Sequence, residues 1–199
     1  MQRPSTTTTV SGEDWYGRDL SGEAHEATLF VDVDLMEATG TGATFDGCVF
    51  RGVQLNAAVL KECAFTACLF DRCVFFDATF ERCKLVGSTF TACTFDLLKV
   101  EGGNWSFVNL GRAELGSARF EGVRLREADL SDLRAHGGVL NGCDLSGAAL
   151  EGADLSAADL RGSDLTSLDP RTANLTGAVV DQGQAIGIAE ALGLVVRPD

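Results

Sequence analysis

The residues of this 199-residue chain with types suited to chemistry are seven cysteines, two histidines and a scatter of acidic pairs. Cysteines that bind a metal or cycle a disulfide come as CxxC pairs facing a second pair or a histidine pair. Here Cys48, Cys63, Cys68, Cys73, Cys83, Cys93 and Cys143 are instead separated by multiples of five. A metal or redox site would not place every thiol in one slot of a long array, so these are read as reduced, buried packing residues. His25 and His136 lie far apart, and His25 is expected at a partly exposed corner rather than as a ligand. Pairs such as Asp32 with Asp34 or Asp129 with Asp132 have the composition of a general acid and base. No GxSxG, HExxH or phosphate-loop motif accompanies them, and no lysine follows Gly40 and Gly42. The chain is read as non-enzymatic, with no metal and no cofactor.

What must position these residues is a five-residue beat. Of the 34 multiples of five between Trp15 and Val180, 30 hold Phe, Leu, Trp or Val; the exceptions are His25, Gly40, Ala135 and Pro170. Two places earlier the residue is small, and that slot holds all seven cysteines. The run from Cys63 to Phe95 is the most regular. In extended chain, residues two apart share a face and the one between points away. If the chain turns after each bulky residue, the small and bulky residues both go inward and the other three face water. A helix cannot hold such a stripe, since five residues at about 100° each advance it by roughly 500°. Segments this short cannot stand alone; they must stack coil on coil, each backbone hydrogen-bonded to the next, as a solenoid.

Some stretches break the beat. Residues 1–12 form a Thr-rich arm, expected to be disordered or, alternatively, folded over the first coil to cover an open edge. Residues 23–27 and 36–42 each spoil a corner, and the glycines of the second suggest a bulge. Residues 96–107 are roughest: Leu98 is large for the small slot and Phe107 falls on an outward position, so a distorted coil or bulging turn is expected. Phe107 serves either as a contact or as filler beside Gly102 and Gly103. Asp169-Pro170 interrupts the last face. After Val180 the beat stops, and Asp181 followed by Gln184 reads as a helix N-cap with its capping-box partner, closed by Gly193. That helix places Ala185, Ile186, Ala189 and Leu192 on one face, as a lid on the last coil.

With 29 acidic and 16 basic residues the net charge is −13, which argues against binding nucleic acid and points to a positively lined partner. No run of 18 apolar residues and no signal-peptide core occurs, so a cytoplasmic location and no membrane are expected.

The pentapeptides Ala128-Asp129-Leu130-Ser131-Asp132, Cys143-Asp144-Leu145-Ser146-Gly147, Ala153-Asp154-Leu155-Ser156-Ala157 and Ala158-Asp159-Leu160-Arg161-Gly162 resemble the A-(D/N)-L-x-x motif of pentapeptide-repeat proteins, over about residues 13–180. The resemblance implies an all-β fold: a right-handed quadrilateral β-helix, 20 residues per coil, about eight coils, with a short C-terminal α-helix. Residues 1–12 would be an arm, 13–180 the β-helix, and 181–199 a capping or dimerisation helix and tail. The Phe- and Cys-rich first half, the Leu-rich second half and the ending Asn174 to Ile186 are similar to the MfpA and, more loosely, the Qnr type of quinolone-resistance proteins. That narrower resemblance implies a homodimer joined through Ile186, Ala189, Leu192 and Leu194. It further implies a rod that imitates duplex DNA and binds DNA gyrase, with topoisomerase IV a second target. The beat is unbroken by insertions, which favours the loop-poor MfpA type. A non-enzymatic interaction scaffold of the same fold with an unrelated partner is the alternative.

At 20 residues per coil, outward residues sort onto four sides. The side through Leu35, Leu55, Phe75, Phe95, Leu115 and Leu155 carries eight acids, among them Asp34, Glu37, Asp77, Asp96, Glu114 and Asp154, against Arg134 alone. This acidic side is the expected partner-binding face, provided the register does not slip at 40–42 or 96–107.

Overall fold

The computed structural model describes residues 4–197. Its plan is a four-sided parallel β-helix in which each short strand pairs with residues 20 positions away. One ladder joins Thr8–Ser11, Thr28–Val31, Val49–Arg51, Leu69–Asp71 and Thr89–Thr91; a second joins Thr39–Thr41, Val59–Lys61, Thr79–Glu81, Lys99–Glu101, Arg119–Glu121 and Val139–Asn141; a third joins Ala24–Glu26, Thr44–Asp46 and Ala64–Thr66. The fourth side is held by single bridges such as Asp34 to Gln54 to Val74 to Thr94.

The backbone satisfies itself by reaching both ways. In Val74-Phe75, the outward Val74 N–H donates to Val53 O of the preceding coil (3.1 Å) and the inward Phe75 N–H to Thr94 O of the next (2.9 Å). Inward residues from all four sides merge into one core running the length of the solenoid. Its first half is a stack of rings: Phe45 lies 4.7 Å from Phe65, and Phe50, Phe70 and Phe90 follow at 4.8 Å steps, each pair nearly parallel. Those distances equal the spacing of neighbouring strands, so identical residues in register stack because the backbone does.

The cysteines behave as small core residues. All seven are free thiols and only Cys93 is less than fully buried. Each turns its Sγ toward main-chain carbonyls, as Cys83 does toward Leu60 O (3.3 Å). Burial raises the Cys143 thiol to about 11. Cys68, Cys73 and Cys83 are pushed up first by the thiol they bond in a neighbouring coil, then by burial.

Corners are made by left-handed backbone two residues after the bulky one: Gly87, Asp77 and Leu97 have φ of 68°, 55° and 58°. This is the third position of a type II-like turn, where positive φ is required.

Several expected flaws are absent. The disordered arm is corrected at Thr8–Ser11, which extends a ladder by pairing with Thr28–Val31; residues 1–3 and the last two of the tail lie outside the described residues. Gly40 makes no bulge but sits in register opposite Leu60, where a Cβ would meet Leu20 Cβ at 3.2 Å and Leu60 Cδ2 at 3.3 Å. Glycine is there for space between two leucines. His25 is partly exposed, as expected, but it sits within the strand Ala24–Glu26 and not at a corner: its ring stacks on Phe45 at 5.1 Å and its Nε2 lies 2.8 Å from Glu23. Nor do residues 96–107 bulge. Lys99–Glu101 pairs with strands on both sides, and Leu98 and Trp105 are buried. The register slips only near Pro170, where Gly152 N–H reaches Thr172 O (3.0 Å), one residue further along than its equivalents. Residues 19, 39, 59, 79, 99, 119, 139, 159 and 179 therefore pair in one continuous line.

The terminal helix spans Gln182–Ala191, with Asp181 and Gln184 in the expected capping box. Its orientation differs from the expected lid. In lower coils an inward residue's carbonyl accepts a hydrogen bond from the small slot 23 residues later, as Leu140 O does from Ser163 Oγ (2.6 Å). Leu160 O has no such residue above it. Gln184 Nε2 takes the place, donating to Leu160 O (2.7 Å) and Ser163 O (2.8 Å). That turns Gln184 and Ile188 toward the solenoid and leaves Ile186 and Leu192 exposed.

Candidate partner-binding face

With the 20-residue register unbroken through residue 164, the acidic side is one straight surface. Parallel bridges carry it from Asp14 through Asp34, Gln54 and Val74 to Thr94, and from Glu114 through Arg134 and Asp154 to Asn174. Asp34, Glu37, Asp77, Asp96, Glu114 and Asp154 all lie along it.

Their surroundings are unequal. Asp34 and Asp154 occupy the outward position before a bulky residue and serve the following turn. Asp34 accepts from the Met36 N–H (2.8 Å), and Asp154 from the Ser156 N–H (3.1 Å) and Asn174 Nδ2 (3.0 Å). The Ser156 hydroxyl, then its backbone N–H, hold the Asp154 carboxyl below the usual range. Both fix a corner, and Asp154 keeps its charge while doing so.

Asp77 and Glu114 are partly compensated. Lys99, rooted on the neighbouring side, bends round the corner to Asp77 (2.6 Å), and Arg134 reaches Glu114 (2.9 Å). These pairs are open to water and worth under about 1 kcal/mol each, but they reduce the local field. Asp96 has only Ser117 Oγ at 3.5 Å, and Glu37 faces Tyr16, whose phenol it raises by accepting its hydrogen bond. Negative potential therefore concentrates at Asp14, Asp34 and Glu37 near one end, at Asp96 midway and at Asp154 near the other.

Sequence reading passed over a second feature of this surface. Tyr16 and Phe76 follow an inward residue directly and Leu97 comes second after one; all three project here with about half their surface exposed. The signal was present, since a bulky apolar residue in an outward slot breaks the five-residue pattern. At the other end of the chain, Ile186, Leu192, Leu194, Val195 and Val196 are exposed, while Ala189 is half-buried. No group of three or more metal-binding side chains gathers among the described residues, and no helix among them is long and apolar enough to cross a membrane.

Comparison with known proteins agrees with this architecture. The family model for a pentapeptide repeat region matches residues 73–150, and that for pentapeptide repeats in eight copies matches residues 54–91. Over residues 54–150 the chain is thus similar to pentapeptide-repeat proteins. Along its length it is similar to solved structures of QnrB1, a plasmid-mediated fluoroquinolone resistance protein. A trypsin-treated variant is 26% identical, with 97% of this chain and 99% of that one covered and a TM-score of 0.55. Full-length QnrB1 is 23% identical, with 95% and 99% covered and a TM-score of 0.54. No curated protein matches significantly.

Proposed function

We propose that this protein is a non-enzymatic DNA mimic. It binds DNA gyrase, and by the same logic topoisomerase IV, in the place of a DNA segment and so protects the enzyme from quinolone-type poisons. The observation that carries the reading is the straight acidic side, on which a net of −7 out of the chain's −13 is gathered. Similarity over nearly the whole length to a fluoroquinolone resistance protein supports the choice of partner. Charge of that order, spread along a rod of stacked coils, presents a DNA-binding protein with a rigid, extended anion. The site of action is the cytoplasm, where gyrase and its poisons meet.

Supercoiling by purified gyrase, with and without a quinolone, tests this. Micromolar protein is expected to inhibit supercoiling and to reduce quinolone-stabilised cleavage; neither effect at that concentration overturns the proposal. Replacing Asp34, Asp77, Asp96 and Asp154 together by Asn is expected to weaken binding at least tenfold at low salt and less at high salt. Unchanged affinity would move the interface to another side.

The same reading makes the protein a homodimer joined end to end at the terminal helix. Ile186, Leu192 and Leu194 lie exposed together with Val195 and Val196, Ala189 is half-buried, and a second copy is the simplest cover for such a patch. Leu192→Asp is expected to give a monomer by sedimentation, with the β signature of the circular dichroism spectrum retained. A variant that stays dimeric would place the contact elsewhere.

A further inference from the structure

The acidic side also carries apolar side chains that stability does not explain. Among the described residues of the repeats ahead of the terminal segment, five large hydrophobic residues are exposed: Tyr16 (54%), Phe76 (48%), Leu97 (47%), Phe107 (52%) and Val179 (46%). The first three share one corner of this side. Gly17 N–H donates to Met36 O, Glu37 N–H to Asn56 O, Ala57 N–H to Phe76 O and Asp77 N–H to Asp96 O (2.8, 2.8, 2.8 and 2.9 Å), so Tyr16, Met36, Asn56 and Phe76 follow one another up successive coils, with Leu97 beside Asp96 in the fifth. Four coil steps at about 4.8 Å make a strip roughly 20 Å long. Glu37, Asp77 and Asp96 border it.

Leu97 is the telling member. Its backbone is left-handed, at φ 58°, where the equivalent corners above and below often hold glycine or alanine. A bulky side chain gains nothing from that backbone, and Leu97 gains little from burial either. What remains is contact with something outside the chain.

We infer that Tyr16, Phe76 and Leu97 form the anchor of the partner interface and that the flanking carboxylates orient it. The inference rests on the gyrase reading above. The complementary surface is a basic protein surface with an apolar recess, which fits an apolar strip rimmed by negative charge. Buried aromatic and aliphatic anchors at the centre of a contact set its dissociation rate, whereas rim charges act mainly on association and salt dependence. A carboxylate rod without such anchors would bind quickly and release quickly.

The test is a kinetic binding measurement on immobilised gyrase with the full-length protein and its Phe76→Ser/Leu97→Gly double variant. Gly relaxes the left-handed corner and neither residue is buried, so the variant is expected to melt no lower than the parent. Its dissociation should be at least about tenfold faster, with association changed less than about twofold. Binding by the parent with unchanged dissociation of the double variant overturns the inference and leaves the gyrase reading intact. Absence of binding by the parent overturns both. Loss of self-association by the double variant, with gyrase dissociation unaltered, assigns the strip to a second copy and also overturns the inference.

Discussion

Gly103→Ala is expected to break the solenoid near its middle. Gly103 stands in the small inward slot, where other coils hold Cys, Ala or Ser, but its φ is +92° and its backbone runs against the coil below. A Cβ built there would lie 2.2 Å from Cys83 O and 2.9 Å from Cys83 N. Those atoms cannot give way, because Cys83 O accepts from the Asn104 N–H (3.0 Å) and the next residue, Lys84, donates its N–H to Cys63 O (2.9 Å). Relief requires separating two coils, so the loss should exceed about 3 kcal/mol, at the upper end of single substitutions. Gly102→Ala is the control: its Cβ would meet nothing closer than Arg82 Cγ at 3.7 Å, and only the left-handed backbone, roughly 1–2 kcal/mol, opposes it. Urea denaturation followed by tryptophan fluorescence measures both, since Trp105 lies two residues from the break. In a solenoid whose coils contact only their neighbours, Gly103→Ala should also split one transition into two. A Gly103→Ala midpoint no lower than that of Gly102→Ala would refute the account.

Phe70→Ala is expected to cost about 3–5 kcal/mol. Phe70 is fully buried, stacks on Phe50 and Phe90 at 4.8 Å each, lies tilted against Phe65 at 5.8 Å and meets Phe75 edge-on at 5.6 Å. The ladder fixes its coils at strand spacing, so the cavity cannot close without breaking main-chain hydrogen bonds. Phe70→Leu keeps most of the volume and loses the two stacks, a loss of about 1–3 kcal/mol. A Phe70→Leu variant as stable as the parent would show that ring geometry contributes nothing beyond volume.

Much of this architecture was legible in one dimension. Inward and outward positions and the burial of the cysteines follow from a period that no helix or long strand has, and the capping box of Asp181 with Gln184 from residue types where that period stops. Irregular residues were misjudged, and for one reason. Gly40, His25 and Leu98 each break the local pattern, but the ladder is held by main-chain bonds to the coils above and below, so a single unsuitable side chain does not release its segment. His25 stays because Phe45 offers it a face to stack on, and Gly40 because Leu20 and Leu60 already fill the space.

The candidate face shows the same division. Its acidity could be summed from the sequence once 20 residues per coil was assumed, since sorting residues needs only the period. Which of those carboxylates remain uncompensated could not, because Lys99 reaches Asp77 around a corner from a different side. The terminal helix could be delimited by its caps, yet the face it turns to the solenoid depends on Gln184 reaching Leu160 O and Ser163 O, a place open to it because no further coil lies above. By itself the sequence determined the repeat, its inward residues and the total of its charge, since these depend on residue type and spacing along the chain. Only the tertiary structure decided that the register survives residues 96–107, which charges are paired and which apolar residues stay exposed. Those depend on neighbours 20 positions away, brought together by the stacking of coils.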